Sequence, residues 1–332
     1  MTTTNSPIRR TVTLGAGVAA VAAVGAGAAR FGSARAIRRW SDRTPAFPLS
    51  EFDLAATFVD VATSDGGSVA CWVAGAGPTF VLGHGVAGDH THWGPIAHRL
   101  IAAGHRVVTF DQRGHGQSTA GRAGFGLEGL AIDVGAVVEH FSTGERIVLA
   151  GHSMGGIGIQ ALVRHAPSTF DRVDAVVLVS TLATDPGIPL GKALATARGL
   201  RAYRSMLARP TVARVLMRTG FGTPAPPLVW IDRLAADWAA CPEKTLLALG
   251  PALTSFDLRA DTARFPVPVS VICGDHDRTT PLRLSREIAA LVPRSSLTVV
   301  PGAGHMIVWE RPDEVAAELR AVAGRAASSL SR

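Results

Sequence analysis

The sequence has little of the chemistry on which nucleic-acid-binding surfaces rely. It contains one tyrosine, aromatic residues make up 6% of the chain, and Lys192 and Lys244 are the only lysines. The net charge of +7 is concentrated at one end, because residues 1–43 hold seven arginines and one aspartate and so carry +6 of it. The remaining body is nearly neutral and has no stripe of alternating aromatic and basic residues. These absences give no support to nucleic-acid binding.

Cysteine is scarce as well. Cys71, Cys241 and Cys273 are odd in number and far apart, and two of them fall in predicted buried strands. We therefore expect free buried thiols and no disulfide. No internal repeat is visible, and 332 residues are enough for one large α/β core with an inserted segment.

Long apolar runs are absent except near the N-terminus. Residues 11–29 form an uncharged run, which is long enough to cross about 30 Å of hydrocarbon as a helix. We expect membrane association through this run as a transmembrane helix, and the arginines after it favour a cytoplasmic location for the following domain. Residues 1–48 would then be a hydrophobic segment with a basic linker.

Two other interpretations of this N-terminal run stay open. Arg9 and Arg10 precede it, so it could be a twin-arginine export signal that is cleaved near residues 26–28. It could also be a helix that is soluble or lies on a membrane surface.

The most informative motif is G-H-S-M-G at residues 151–155, a G-x-S-x-G pattern. An apolar strand is predicted before it and an apolar-periodic helix after it. In so tight a strand-to-helix turn, larger residues at the glycine positions would collide with the neighbouring strand and helix. Ser153 is therefore a candidate nucleophile.

Candidate partners for this serine follow in the chain. Asp275 and Asp277 come directly after the predicted strand 267–273, and His305 follows the predicted strand 297–300. Further strands, predicted near residues 57–61, 68–73, 79–82, 106–110 and 175–179, alternate with helices after an initial hairpin. This alternation predicts an α/β fold with a mostly parallel central sheet flanked by helices. The order Ser, Asp, His is that of the α/β-hydrolase triad.

Further blocks strengthen this resemblance. Residues 84–86 resemble the H-G-x oxyanion loop, residues 111–118 the D-x-R-G-x-G-x-S turn, and residues 304–305 the histidine loop. Over most of residues 53–325 the chain resembles an α/β-hydrolase-fold serine hydrolase, and more narrowly the actinobacterial esterase, lipase and haloperoxidase group.

The resemblance implies a role for each candidate. In that family the acid lies three residues after a glycine and four before a proline, which favours Asp277 over Asp275. Ser153 would be the nucleophile, His305 the general base and Asp277 the residue that orients the imidazole. Neither a cofactor nor a metal is needed for this chemistry.

The H-G-x loop implies the anion-stabilising groups. Backbone N–H groups of Val86 and Met154 are expected to form the oxyanion hole. His84 is expected to brace the loop and Gly85 to lie against the substrate. Trp93 is a further substrate-contact candidate, although it could instead pack beneath the loop.

Residues 181–262 interrupt the βα alternation. They carry helical patterning near residues 193–207, 212–219 and 234–249, and they correspond to the cap that covers the pocket in such enzymes. The core would then comprise residues 49–180 and 263–332. Phe221, Trp230 and Trp238 are candidates for lining an acyl-binding cavity, although most apolar residues here should form the cap's own small core.

These observations predict hydrolysis of a small-molecule or lipid ester with an apolar acyl or alcohol part. A cofactor-free perhydrolase or an acyltransferase would use the same triad, and a ligand-binding protein with a vestigial triad is a fourth possibility. Asp89, His90 and His92 could be imagined as metal ligands, but their spacing lacks an H-E-x-x-H frame. Asp111 is expected to stabilise a turn.

Overall fold

A computed structural model describes residues 44–330, with the exception of residues 143, 145, 186, 188 and 294. Within these residues no helix is both long and apolar enough to cross a membrane. The expectation of a transmembrane helix is therefore wrong for the described part of the chain. Residues 11–29, which prompted it, lie outside the described residues, as do the arginines on either side of them.

Eight strands form one sheet. They are β1 (Thr57–Ala62), β2 (Ser68–Ala74), β3 (Thr79–Gly83), β4 (Arg106–Phe110), β5 (Ile147–His152), β6 (Val173–Val179), β7 (Val269–Gly274) and β8 (Ser295–Val300). The spatial order is β1-β2-β4-β3-β5-β6-β7-β8. The β1–β2 and β2–β4 pairs are antiparallel and all other pairs are parallel. The predicted α/β-hydrolase fold, with its hairpin and mostly parallel sheet, is confirmed.

Helices cover both faces of the sheet. The described helices are α1 (Gly94–Ala102), α2 (Leu127–Phe141), α3 (Met154–His165), α4 (Pro189–Leu194), α5 (Ala197–Leu207), α6 (Pro210–Arg218), α7 (Leu228–Ala240), α8 (Glu243–Leu253), α9 (Arg259–Thr262), α10 (Leu282–Leu291), α11 (Ile307–Glu310) and α12 (Pro312–Leu330). Successive residues of β3 point to opposite faces, so that Phe80 and Leu82 join the core on the α1 and α12 side, and Val81 joins the core on the α2 and α3 side. Both faces are therefore buried, as a parallel sheet requires.

The carboxyl edge of the parallel strands gathers the loops that carry the candidate residues. The loop at residues 84–88 follows β3, Ser153 follows β5, and residues 275–281 and 301–305 follow β7 and β8. Because parallel strands end at the same edge, four segments far apart in the sequence meet there.

The segment between β6 and β7 is helical, but with more breaks than the sequence pattern suggests. The helix predicted near residues 234–249 is two helices, α7 and α8, separated at Cys241 and Pro242. The helix predicted near residues 193–207 is likewise divided into α4 and α5, because the Thr196 hydroxyl accepts a hydrogen bond from the Gly199 N–H and begins a new helix. Periodicity alone does not detect such breaks, since apolar residues continue across them.

Residues 44–53 pack closely on the body of the protein. Phe47, in the predicted linker, is 3% exposed, and its ring stacks on that of Trp230 in α7 with the centroids 5.2 Å apart. Phe52 meets the ring of Trp309 edge-on at 4.9 Å. The last residues of the predicted linker therefore form a strap, residues 44–53, that joins α7 to α11.

Candidate active site

Ser153 occupies a strained turn between β5 and α3. Its backbone has φ 53° and ψ −116°, a conformation that L-residues rarely adopt. A Cβ atom on Gly151 would lie 2.4 Å from the carbonyl carbon of Gly155, and a Cβ atom on Gly155 would lie 2.3 Å from the carbonyl oxygen of Gly83. Both glycines of the motif are therefore sterically required at this turn.

Ser153, His305 and Asp277 form a continuous hydrogen-bonded chain. Nε2 of His305 is 3.2 Å from Oγ of Ser153, and Nδ1 of His305 is 3.0 Å from Oδ2 of Asp277. When Nδ1–H donates to the carboxylate, Nε2 is free to accept the serine proton. The structure thus brings together three residues separated by up to 152 positions.

The carboxylate of Asp277 is held in place by the residues that follow it. Oδ1 accepts hydrogen bonds from the N–H groups of Thr279 (2.9 Å) and Thr280 (2.8 Å), while Oδ2 accepts one from the Thr280 hydroxyl at 2.7 Å. Burial alone would raise the pKa of Asp277, but attraction to His305 and these hydrogen bonds outweigh it and hold the pKa below its usual value. Asp277 is therefore ionised at neutral pH.

Asp275 lies elsewhere in the same turn. It is exposed, and its Oδ1 accepts a hydrogen bond of 2.7 Å from the N–H of Gly302. Asp275 ties the loop after β7 to the loop after β8, whereas Asp277 is the carboxylate that reaches His305.

The loop at residues 84–88 lies directly against Ser153. A Cβ atom on Gly85 would be 3.1 Å from the Cβ of Ser153, so only a glycine allows this approach without displacement. Met154 is the first residue of α3, and its N–H has no partner within the helix. The side chains of Val86 and Met154 pack together in one apolar cluster.

Two buried histidines, His84 and His115, form hydrogen bonds with the backbone of the loop at residues 84–88. Nδ1 of His84 donates to the carbonyl oxygen of Gly85 at 2.6 Å, and its Nε2 accepts from the N–H of Gln112 at 2.9 Å. His115 repeats the arrangement, with Nδ1 3.2 Å from the Arg113 carbonyl oxygen and Nε2 accepting from the N–H of Ala87 at 3.1 Å. Burial lowers the pKa of His84 to about 3 and also lowers the pKa of His115, so both rings are neutral at neutral pH.

His152 fixes the backbone of His305. Its Nε2 is 2.9 Å from the carbonyl oxygen of His305, which makes Nε2 the protonated nitrogen. Burial, followed by repulsion from His305, lowers the pKa of His152 to about 3. His152 is thus a neutral donor beside the candidate nucleophile.

Three of the aromatic residues predicted to contact substrate are core residues in this structure. Trp93, Phe221 and Trp230 are 0%, 1% and 3% exposed, and Phe221 stacks on Trp230 at 6.2 Å. A side chain sealed in this way has no surface to offer a ligand, so the substrate-contact role expected of these three does not fit their positions. Trp238 is only partly buried and packs with Val86 and Ala87 of the loop at residues 84–88.

Buried leucines that the sequence analysis did not single out pack against the loop at residues 84–88. Leu249 of α8 packs on Met154 and Val86, while Leu200 of α5 and Leu246 of α8 join a cluster with Ala87. Thr245 anchors α8 to the core, because its hydroxyl donates to the carbonyl oxygen of Gly114 at 2.9 Å. The apolar periodicity of residues 243–253 was the signal available for finding them.

The residues weighed as metal ligands have other partners. Nδ1 of His90 is 3.0 Å from the buried carboxylate of Asp111, and the His90 ring stacks on Trp72. Nε2 of His92 is 2.9 Å from Oδ2 of Asp237 in α7. In the part of the chain that the structure describes, no group of three His, Cys, Asp or Glu side chains could hold a metal ion.

The cysteines are as expected from the sequence. Cys71, Cys241 and Cys273 are free and buried. Burial raises the pKa of Cys241 and of Cys273 to about 11, which keeps both thiols protonated and unreactive at neutral pH.

A cavity of about 420 Å³ opens at the opposite edge of the sheet. Its lining includes Arg146 just before β5, Pro167 after α3 and Val267 just before β7. Because Ser153 follows the other end of β5, this cavity lies one strand length away from the candidate active site and takes no part in it.

Comparisons with known proteins agree with this geometry. Residues 80–318 match the alpha/beta hydrolase family. A protein of Mycobacterium tuberculosis, named provisionally as the non-heme bromoperoxidase BpoC, is 30% identical over 247 residues, which are 71% of this chain and 89% of the relative.

Solved structures of two esterases are similar to this chain in fold. A thermophilic esterase from Thermogutta terrifontis is 25% identical, with a TM-score of 0.67 over 82% of this chain and 99% of its own. An esterase from Exiguobacterium antarcticum, at 20% identity, has a TM-score of 0.69 over 80% of this chain and 98% of its own, and so shares the fold.

Proposed function

The chain belongs to the alpha/beta hydrolase family, and we propose that it is a serine esterase that cleaves carboxylic esters through an acyl-serine intermediate. The observation that carries the proposal is the chain of hydrogen bonds from Ser153 through His305 to the ionised Asp277. A serine hydroxyl is a poor nucleophile at neutral pH, and this arrangement supplies the base that it needs.

Each group has a task in the first half of the reaction. Nε2 of His305 accepts the Ser153 proton as Oγ attacks the ester carbonyl carbon, and Asp277 stabilises the imidazolium that results. The N–H groups of Val86 and Met154 donate to the negative oxygen of the tetrahedral intermediate. The imidazolium then returns its proton to the alkoxide leaving group, and the acyl-serine remains.

Deacylation repeats these steps with water. His305 accepts a proton from the water as its oxygen attacks the acyl carbon, and the protonated His305 then returns a proton to Oγ of Ser153. The products are a carboxylic acid and the free enzyme, so that no cofactor enters the balance.

The helices between β6 and β7 favour an apolar acyl group. We assign residues 181–262 to a cap, with residues 49–180 and 263–332 as the core. Leucines of α5 and α8 pack against Val86, Ala87 and Met154, so that the surroundings of Ser153 on this side are apolar. Gly85 and Trp238 are the remaining substrate-contact candidates.

A perhydrolase activity is the second candidate, and the identity to a provisionally named bromoperoxidase favours it. Hydrogen peroxide would replace water as the nucleophile on the acyl-serine. The product would be a peracid, which can oxidise a halide outside the enzyme.

The test is turnover of p-nitrophenyl esters from acetate to decanoate by the wild-type protein and by Ser153→Ala. The proposal predicts turnover that falls on the order of 10³-fold or more in the variant, with an unchanged circular-dichroism spectrum. Turnover by Ser153→Ala at the wild-type rate would contradict it. Adding acetate, hydrogen peroxide and bromide and following the bromination of a dye tests the perhydrolase candidate.

A further inference from the structure

Glu310, at the end of α11, is a buried carboxylate whose hydrogen-bond donors are backbone amides of two different loops. It is 4% exposed. Oε1 accepts from the N–H of Thr223 at 2.8 Å and of Gly222 at 3.0 Å, and Oε2 accepts from the N–H of Gly304 at 2.6 Å. Gly304 directly precedes His305, whereas Gly222 and Thr223 belong to the cap loop, residues 220–223.

These two loops are packed backbone against backbone. A Cβ atom on Gly304 would lie 2.2 Å from the backbone nitrogen of Gly222, and one on Gly222 would lie 2.3 Å from the carbonyl carbon of Ala303. The N–H of Met306 also donates to the carbonyl oxygen of Gly220 at 2.9 Å. Glu310 therefore accepts hydrogen bonds from both loops at the point where their backbones are in contact.

The hydrogen bonds on either side of His305 restrict its position. Glu310 accepts from the residue before it, His152 donates to its own carbonyl oxygen at 2.9 Å, and Gly220 accepts from the residue after it. The bond from Gly304 to Glu310, at 2.6 Å, is the shortest of the three.

We propose that Glu310 is a positioning residue for the reaction assigned above: it holds the His305 loop against the cap loop, so that Nε2 stays within reach of Oγ of Ser153. The inference rests on the proposed function, since it needs His305 to act on Ser153. Glu310 touches neither the substrate nor the reacting atoms. A displacement of about 1 Å between reacting atoms can lower a rate about 100-fold. Because Glu310 restricts the position of His305, its loss should slow the reaction as well as lower stability.

The test is the rate at which a fluorophosphonate labels Ser153, measured per folded molecule well below the unfolding midpoint. In Glu310→Gln an amide N–H₂ group faces backbone donors, and the loop shifts. We expect the second-order labelling rate and kcat for p-nitrophenyl acetate to fall about 10-fold or more. KM should stay within about threefold, because the leucines that pack against the loop at residues 84–88 are held by α5 and α8.

Glu318→Gln is the matched control. Glu318 is also a largely buried glutamate, and it accepts hydrogen bonds from Ser270 (2.7 Å) and Thr298 (3.0 Å) in β7 and β8. Its loss should lower the unfolding midpoint and leave labelling per folded molecule unchanged. This comparison separates positioning from a general loss of stability.

If Glu310→Gln does not fold, Glu310→Asp is the variant to be tested in its place. It keeps the charge but shortens the reach by one methylene, and we expect a threefold or greater loss of labelling rate. Labelling by folded Glu310→Gln or Glu310→Asp at the wild-type rate overturns the positioning role while leaving the proposed function intact. A wild-type protein in which Ser153 is not labelled would instead remove the proposed function, and the positioning role with it.

Discussion

Two of the three strained non-glycine residues in the described part of the chain lie in the candidate active site. Ser153 and Ala87 have φ values of 53° and 59°. Such conformations cost on the order of 1–3 kcal/mol each and persist only where surrounding contacts enforce them. The glycines around Ser153 and the hydrogen bond from Ala87 to His115 supply that enforcement.

The two aspartates of the β7 loop should differ sharply when each is replaced by asparagine. Asp277→Asn removes the charge that holds Nδ1–H of His305, and its amide can stabilise the wrong tautomer, so kcat/KM should fall on the order of 10⁴-fold. Asp275→Asn alters only a loop contact to Gly302 and should cost a few-fold at most. Steady-state kinetics with p-nitrophenyl butyrate decide the point, and the reverse order of losses would move the acid to Asp275.

At the residue scale, the sequence points to the candidate triad more directly than to the residues whose hydrogen bonds hold the triad loops in place. Ser153 and His305 are marked by local glycine patterns, whereas the choice of Asp277 over Asp275 needed the family resemblance. His115 and Glu310 carried no local signal, because their partners lie 28 and up to 88 positions away. Contacts between residues so far apart in the sequence are determined by the fold, so the residues next to them in the chain do not reveal them.

At the scale of elements, α8 places a leucine against the residue that follows Ser153. Leu249 packs on Met154, the residue after Ser153, and is 1% exposed. Leu249→Ala should open space beside the acyl group and shift preference toward longer esters. Since each buried methylene contributes about 0.8 kcal/mol, the octanoate-to-acetate ratio of kcat/KM should rise roughly fourfold for each methylene accommodated.

A second buried leucine controls for stability in that experiment. Leu319 of α12 is likewise buried, at 0% exposed, but packs in the core on the α1 and α12 side of the sheet. Leu319→Ala should destabilise the protein and leave the octanoate-to-acetate ratio unchanged. An unchanged ratio in Leu249→Ala would mean that α8 does not limit the acyl chain.

The strap at residues 44–53 is short, but we expect it to contribute several kcal/mol, about 3–5 from Phe52 alone, to the free energy of unfolding. Phe52 packs on Phe47 and Trp309, and the guanidinium of Arg233 lies 5.2 Å from the centre of its ring. Phe52→Ala should lower the free energy of unfolding by about 3–5 kcal/mol. Leu49→Ala, in the same segment but at a side chain 47% exposed, should change it by less than about 0.5 kcal/mol.

Urea unfolding followed by tryptophan fluorescence measures both strap variants. Equal effects from the two would mean that the strap does not pack on the aromatic cluster. The sequence predicted a linker here because prolines and polar residues dominate residues 41–48, and composition cannot reveal that a single phenylalanine finds a partner 183 positions away.

Elements as a whole were predicted more securely than their ends. All eight strands fall close to their expected positions, because runs of β-branched and aliphatic residues between turn signals are strong indicators. The breaks in the helices between β6 and β7 depend on a capping hydroxyl at Thr196 and a proline at residue 242. Both features are visible in the sequence, but each is also common where no break occurs.

At the scale of the whole molecule, buried neutral histidines should make the protein sensitive to acid. Burial lowers the pKa of His84 and of His152 to about 3, whereas both titrate near 6.5 in the unfolded chain. Between these values the unfolded state binds more protons, so stability is complete above about pH 6.5 and falls as the pH drops toward 3. Each histidine should remove about 1.4 kcal/mol per pH unit across that interval.

Urea unfolding at pH 7.5, 6.5, 5.5 and 4.5 measures this slope. A His152→Gln variant has one titrating group fewer and should lose less stability per pH unit than the wild-type protein, even if it starts from a lower value. Stability that is constant or rises between pH 6.5 and 4.5 would contradict neutral burial of the two rings.

The central claim is that Ser153 becomes covalently acylated, and peptide mass spectrometry after treatment with a fluorophosphonate tests it most directly. Attack by Oγ on phosphorus displaces fluoride and leaves a stable phosphonyl ester on the nucleophile. The account predicts a single modified serine, Ser153, with labelling abolished in Ser153→Ala and slowed on the order of 10³-fold or more in His305→Ala. Labelling at another serine, such as the strained Ser180, or no labelling of the folded wild-type protein, would contradict it.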